Sequence, residues 1–141
     1  MNIVEKSLEI ALKAHSGQRD KVGKAYILHP LRIMAKMERD EEMSVALLHD
    51  VIEDSTFEAV DLLSEGIPQH VVDAVLCLTK GEGEAYECYL DRVLTNRLAS
   101  RVKKADIEDN INILRLSTLT DRDFERIKKY HHGWQVLSKH G

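Results

Sequence analysis

Seven histidines and twenty-four acidic side chains in 141 residues allow many chance pairings, so spacing decides which of them can do chemistry. The adjacent pair His49-Asp50 lies in Leu47-Leu48-His49-Asp50-Val51-Ile52-Glu53-Asp54, where four ionisable groups occupy two turns of an otherwise apolar stretch. His49 follows the apolar stripe, and a partly buried imidazole needs a partner. Helix neighbours project about 100° apart, so one imidazole nitrogen and one carboxylate oxygen can reach a cation beside the helix while further donors come from other segments. His29, in Tyr26-Ile27-Leu28-His29-Pro30, and Asp106, in Val102-Lys103-Lys104-Ala105-Asp106, have suitable surroundings. Together His29, His49, Asp50 and Asp106 make a sulfur-free donor set suited to Mn²⁺, Fe²⁺ or Zn²⁺, with coordination positions left for water and substrate. Singly, each has an ordinary explanation: a helix-surface pair satisfied by water or Lys36, a residue at a helix start, a solvated acid.

Acids at the carboxyl end of a helix oppose its dipole by roughly 0.3 to 1 kcal/mol each. Glu53 and Asp54 therefore ask for a reason to be there, and orienting or deprotonating a water is one. Arg19, Lys21, Lys24 and Lys80 can offset the charge of an anion locally. Lys103, Lys104 and Arg101 read either as a solvated helix face or as substrate contacts. His15 aligns with Val4, Leu8 and Leu12 and reads as a support for the loop that follows it. His131-His132 reads as surface decoration, and Trp134 with Phe124, Ile127 and Leu137 as core packing.

Apolar residues recur at three- and four-residue intervals almost throughout, and the alternation of paired strands is missing. The expected fold is all-α, a single domain over residues 1–141 with about seven or eight helices. These cover residues 2–15, a segment starting near Pro30, residues 41–53, a helix capped by Ser55 and Glu58 that stops at Gly66, one from Pro68 to about Thr79, then residues 86–94, 98–116 and 121–137. Thr120 caps the last. Residues 16–24 and 81–84 read as polar loops.

Hydrophobic side chains make up 43% of the chain and charged ones 31%, which fits a domain with a real core. The net charge of -4 argues against a nucleic-acid scaffold, so a polyanion must be met locally. No apolar run reaches the roughly 20 residues that span a bilayer, and no signal-peptide core is evident, so the expectation is a soluble cytoplasmic protein. Cys77 and Cys88, without a CxxC pair, indicate packing rather than a disulfide or thiolate site.

The ordered motifs Ala14-His15-Ser16-Gly17-Gln18, Tyr26-Ile27-Leu28-His29-Pro30, Ala46 to Asp54 and Val102 to Asp106 with Asn110 resemble those of HD-domain phosphohydrolases, most of all the hydrolase domain of RelA/SpoT proteins and the small stand-alone alarmone hydrolases. The resemblance implies an all-α fold holding Mn²⁺ through His29, His49, Asp50 and Asp106. It also implies removal of pyrophosphate from the 3′ position of guanosine tetra- or pentaphosphate (ppGpp) in the stringent response. It assigns the attacking water to Glu53 and Asp54, and nucleotide contacts to Lys21, Tyr26 and Asn110. Three departures stand out: Asp20 where the family has an arginine, Ala25 where it has a proline, and Ile107-Glu108-Asp109 where it reads Arg-x-His. Asp20 and Ile107 favour a second reading, hydrolysis of another nucleotide or phosphorylated metabolite. A non-catalytic regulator binding nucleotide or protein through the same cleft is a third.

Overall fold

Every residue from Ser44 to Leu48 is buried, so the second half of the helix that carries them has no solvent face and must sit at the centre of the domain. In the computed structural model, which describes residues 1–140, this helix is α3 (Asp40–Leu48), and it packs against α1 (Ile3–Ala14), α2 (Leu28–Met34), α6 (Gln69–Leu78) and α8 (Arg97–Asn110). Around that layer lie α4 (Val51–Asp54), α5 (Ala59–Ser64), α7 (Tyr86–Leu94), a 3-10 turn (Ile113–Arg115) and α9 (Asp121–His140). Among the described residues there is no strand, only an isolated bridge between Arg19 and Ala25. One apolar cluster, from Ile10 through Leu47, Leu90 and Ile107 to Leu137, joins the helices. No helix is long and apolar enough to cross a membrane, among the described residues.

The all-helical expectation holds, with four local differences. The predicted helix over 41–53 is split in two, because Asp50 takes φ -104° and ψ 0° and breaks the ladder between α3 and α4. The helix after it is capped by Glu58 with Asp61, whose carboxylate accepts the Glu58 N–H at 2.8 Å, and not by Ser55. Ser55 instead closes α4, donating to the Val51 carbonyl at 2.5 Å. The predicted helix over 98–116 ends at Asn110; the Asn112 side chain accepts the Leu114 N–H at 3.3 Å, a local alternative to the helical bond, and Leu114 is 91% exposed although its spacing looks like core. Finally, Cys88 and Phe124 are exposed and not packed, whereas Trp134 and Leu137 join the core.

Thr120 caps α9 as expected, with the Asp123 N–H reaching its hydroxyl at 3.3 Å. Further along, α9 passes close to Tyr86 at Gly133. A Cβ there would collide with the Tyr86 hydroxyl and stand 3.2 Å from Ile107 Cδ1. The Tyr86 hydroxyl is buried and has no hydrogen-bond partner among the described residues. Gly133→Ala gains about 1 kcal/mol of helix propensity but incurs overpacking of about 1–3 kcal/mol, so net destabilisation is expected. Tyr86→Phe removes the obstructing oxygen. Urea unfolding of the single and double variants tests this: the double variant should recover most of the loss, and strict additivity would refute the contact.

Candidate functional site

His29 is the second residue of α2, next to Pro30, and Asp106 and Asp109 lie one helical turn apart on α8. The His29 ring bridges the two acids: Nδ1 meets Asp109 Oδ2 at 2.6 Å and Nε2 meets Asp106 Oδ1 at 2.8 Å. His49 terminates α3, and its Nδ1–H donates to the Ala46 carbonyl at 2.6 Å. That bond leaves Nε2 as the bare nitrogen. It is buried without a hydrogen-bond partner and faces Asp50 Oδ2 at 3.0 Å and Asp106 Oδ1 at 3.6 Å, which are acceptors like itself.

Acceptors aimed at acceptors in a buried space need a proton or a cation between them. His29, His49 and Asp50 present donor atoms all within 4.8 Å of one another, and Asp106 Oδ1 faces both imidazole Nε2 atoms. Ligands about 2.0–2.2 Å from a divalent ion stand roughly 3 to 4 Å apart, so the donor set fits such an ion. Both imidazoles are tied at Nδ1, one by a carbonyl and one by a carboxylate, the arrangement that orients metal-ligating histidines and raises their basicity.

Without a metal, protons take its place. Burial disfavours a charged His29, but its bonds to Asp106 and Asp109 outweigh burial and hold its pKa above the ordinary value. His49 is raised further, again against burial, by the charge of Asp50 and by Asp106. Burial alone would raise Asp106 and Asp109. The Lys103 charge and the two histidines hold Asp106 well below the usual carboxylate range, and bonds from His29 and Arg32 do the same for Asp109.

Neighbouring side chains fix the acids in place. The Tyr26 hydroxyl donates to Asp50 Oδ2 at 2.5 Å, Asn110 Nδ2 to Asp106 Oδ1 at 3.0 Å, and Lys103 Nζ to Asp106 Oδ2 at 2.9 Å. Lys103 is therefore a buried partner of the site and no part of a solvated face. Arg32 Nε donates to Asp109 Oδ1 at 2.8 Å, and Arg115 reaches the same oxygen at 3.3 Å. Glu53 and Asp54 end α4; Glu53 accepts the Lys80 N–H at 2.5 Å. Partial burial and the nearby Asp50 charge raise both their pKa values, although the Lys80 bond opposes this at Glu53.

Beside the histidines opens a cavity of about 290 Å³ lined by Lys21, Tyr26, His29 and Asn110 together with Arg19, Arg32, Arg115 and Arg126. Lys24 and Lys80 are not part of its wall. Asp20 also lines it, but its Oδ1 accepts the Val22 and Lys24 N–H groups at 3.0 and 2.9 Å and so closes the loop on itself. Gly23, at φ +81°, completes that turn. His15 supports the loop, its Nδ1 bonding Gln18 Oε1 at 2.8 Å, and Gln18 in turn donates to the Asp54 carbonyl at 2.8 Å. His132 pairs with Glu87 on the surface. Sequence reasoning missed Asp109, taking it only as a departure from a pattern. Its signal was its position three residues after Asp106, on the same helix face. Arg32, three residues after His29, carried the same signal.

An all-helical domain whose histidines and aspartates converge in this way is of the HD type. No family model matches the chain. It is 31% identical over 125 residues to the guanosine-3′,5′-bis(diphosphate) 3′-pyrophosphohydrolase of Aquifex aeolicus, an alignment covering 79% of this chain and 18% of that protein. It is 30% identical over 134 residues to a GTP pyrophosphokinase of Streptomyces coelicolor, covering 89% of this chain and 16% of that one. A solved structure of a metazoan ortholog of SpoT, described as hydrolysing ppGpp and playing a role in starvation responses, superposes with a TM-score of 0.75 at 23% identity over 99% of this chain and 85% of that chain. The chain is an HD-type domain of the RelA/SpoT kind, and it spans 18% or less of the length of these two curated relatives.

Two measurements follow from this geometry. Imidazoles with raised pKa values stabilise the fold below their unfolded value of about 6.5 and lose that contribution as pH rises through the folded value; the depressed carboxylates act above about 3.9 and fail as pH falls. Metal-free protein should thus be most stable between about pH 4 and 6.5. Because a metal competes with the protons, Mn²⁺ should raise Tm most on the alkaline side, where a hundred times its Kd adds about 2.7 kcal/mol of stability. A metal-induced shift that grew towards acid pH would contradict this. Asp109→Asn should weaken metal binding about 10- to 100-fold by titration calorimetry, and unchanged affinity would remove Asp109 from the site.

Proposed function

We propose that the chain is a divalent-metal-dependent phosphohydrolase, with Mn²⁺ as the preferred ion, that removes pyrophosphate from the 3′ position of guanosine tetra- or pentaphosphate. The observation that carries this reading is the bare, buried Nε2 of His49 facing Asp50 and Asp106, opposite a doubly tied His29 and next to an arginine-lined cavity. The activity for which the Aquifex relative is named supports the choice of substrate.

His29, His49, Asp50 and Asp106 would hold the ion. When bound, such an ion lowers the pKa of a coordinated water from 15.7 towards about 7 and polarises a phosphoryl oxygen. Tyr26 keeps Asp50 turned to the centre, and Asn110 and Lys103 do so for Asp106. Asp54 and Glu53, with pKa values raised above those of free carboxylates, are better proton acceptors than ordinary surface acids. One of them takes the proton of the attacking water as its oxygen bonds to phosphorus. The bond from phosphorus to the ribose 3′ oxygen breaks, that oxygen takes up the proton the carboxylate received from the water, and pyrophosphate departs with the oxygen of water. Lys21, Arg19 and Arg115 line the space for the nucleotide, and the chain of net charge -4 thereby meets a polyanion locally.

Asp20 in the same cavity favours a second reading, a different nucleotide or phosphorylated metabolite. A manganese-dependent release assay across a nucleotide panel separates the two. The expected result is pyrophosphate from the guanosine alarmone, reduced about 10²- to 10⁴-fold in kcat by Glu53→Ala or Asp54→Ala and abolished by Asp50→Ala. Turnover confined to other nucleotides would replace the substrate assignment. No turnover of any panel member, in protein shown to bind metal, would defeat the enzymatic reading.

A further inference from the structure

The last carbonyls of α6 are met by side chains of α7. Helix α6 has no basic residue in its last turn, and Thr79, which follows it, takes φ -83° and ψ 106°, outside the helical region. Arg92 Nη1 donates to the Leu76 carbonyl at 3.1 Å and to the Cys77 carbonyl at 2.8 Å. The Tyr89 hydroxyl donates to the Leu78 carbonyl at 2.8 Å, and Arg92 Nη2 to the Thr79 carbonyl at 3.2 Å. A helix end leaves such carbonyls without partners in its own ladder. Arg92 is itself fixed, because Glu84 accepts from its Nη2 at 2.6 Å and from its Nε at 3.3 Å. Its guanidinium carbon stands 5.5 Å from the centre of the buried Tyr89 ring, and Lys103 Nζ stands 5.3 Å from the same centre. Glu84 Oε1 also accepts the Gly81 N–H at 2.9 Å, which ties back the loop between α6 and α7 on both sides of Lys80.

The Thr79 carbonyl and the Lys80 N–H belong to one peptide unit. A trans peptide is planar and its C=O and N–H point in opposite directions, so whatever fixes one fixes the aim of the other. Arg92 holds the oxygen, and on the far side the N–H meets Glu53 Oε1 at 2.5 Å. Among the described residues the Glu53 carboxylate has no other hydrogen bond, so this one decides the orientation of a long side chain that is otherwise free to rotate. We propose that Arg92 is a positioning residue for Glu53: it grips the Thr79–Lys80 peptide so that Oε1 is occupied and Oε2 is left to take the proton of the attacking water. The assignment rests on the phosphohydrolase reading and deepens it, since it says how the acid is aimed.

The test combines kinetics of the manganese-loaded full chain on the guanosine alarmone with amide spectra of the chain loaded with diamagnetic Zn²⁺. Arg92→Met should lower kcat about 10- to 100-fold with KM unchanged. Lys80→Pro deletes the N–H while leaving Arg92 in place, and the extended Thr79 suits a following proline; it should give the same loss, and it decides if Arg92→Met fails to fold. In a Glu53→Ala background neither substitution should cost much more, a non-additivity that general loss of structure would not produce. The Lys80 amide proton should resonate downfield and exchange slowly, and Arg92→Met and Glu53→Ala should each abolish both features. A raised KM with kcat intact, or losses that multiply with that of Glu53→Ala, overturns the proposal. A Lys80 amide that depends on Arg92 in a chain turning over no nucleotide would keep the peptide contact and discard the reaction. Alarmone hydrolysis with kcat untouched in Arg92→Met would do the reverse.

Discussion

A carboxylate on each nitrogen of one buried imidazole is the constraint around which the domain is arranged. His29 with Asp106 and Asp109 places one ring between two acids where water is scarce, and each of these charges is tolerable only because the others stay in place. Arg32 and Arg115 on one side, and Lys103 and Asn110 on the other, complete the neutralisation. Helices α2 and α8 are therefore joined by more than apolar contact.

The same arrangement explains why adjacent residues carry different duties. His49 Nδ1 is committed to a backbone carbonyl, which fixes its tautomer and leaves Nε2 pointing inward, while His29 is held at Nδ1 by Asp109. Lys103 occupies Asp106 Oδ2, so only Oδ1 of that acid faces the histidines. The centre is shaped by what its side chains are forbidden to do as much as by where they sit.

Much of this was legible in the sequence, and for reasons that can be stated. Helical periodicity survives in single residues, so all-α architecture and most helix limits could be read directly. The four donors stood out because imidazoles and acids inside apolar runs are costly. What escaped depended on tertiary contacts. The break at Asp50 leaves the spacing of Val45, Leu48 and Ile52 unchanged, so periodicity cannot register it. Leu114 and Phe124 have core spacing yet lie beyond the end of α8 and on the outer side of α9, where nothing packs on them. Asp109 and Lys103 look like surface residues in a sequence, since only the approach of α2 and α7 gives them partners.

The enclosure of Ser44 to Leu48 in the second half of α3 reaches beyond packing. Backbone amides enclosed on every side exchange their hydrogens only when the molecule opens as a whole, and His49 closes that helix. Two of the inward-facing donors are thus mounted on, or directly after, the segment least able to fluctuate. The acids at the end of α4 lie past the break at Asp50, where their side chains reach solvent. Enclosed donors and solvent-reaching acids are thus divided at the break at Asp50.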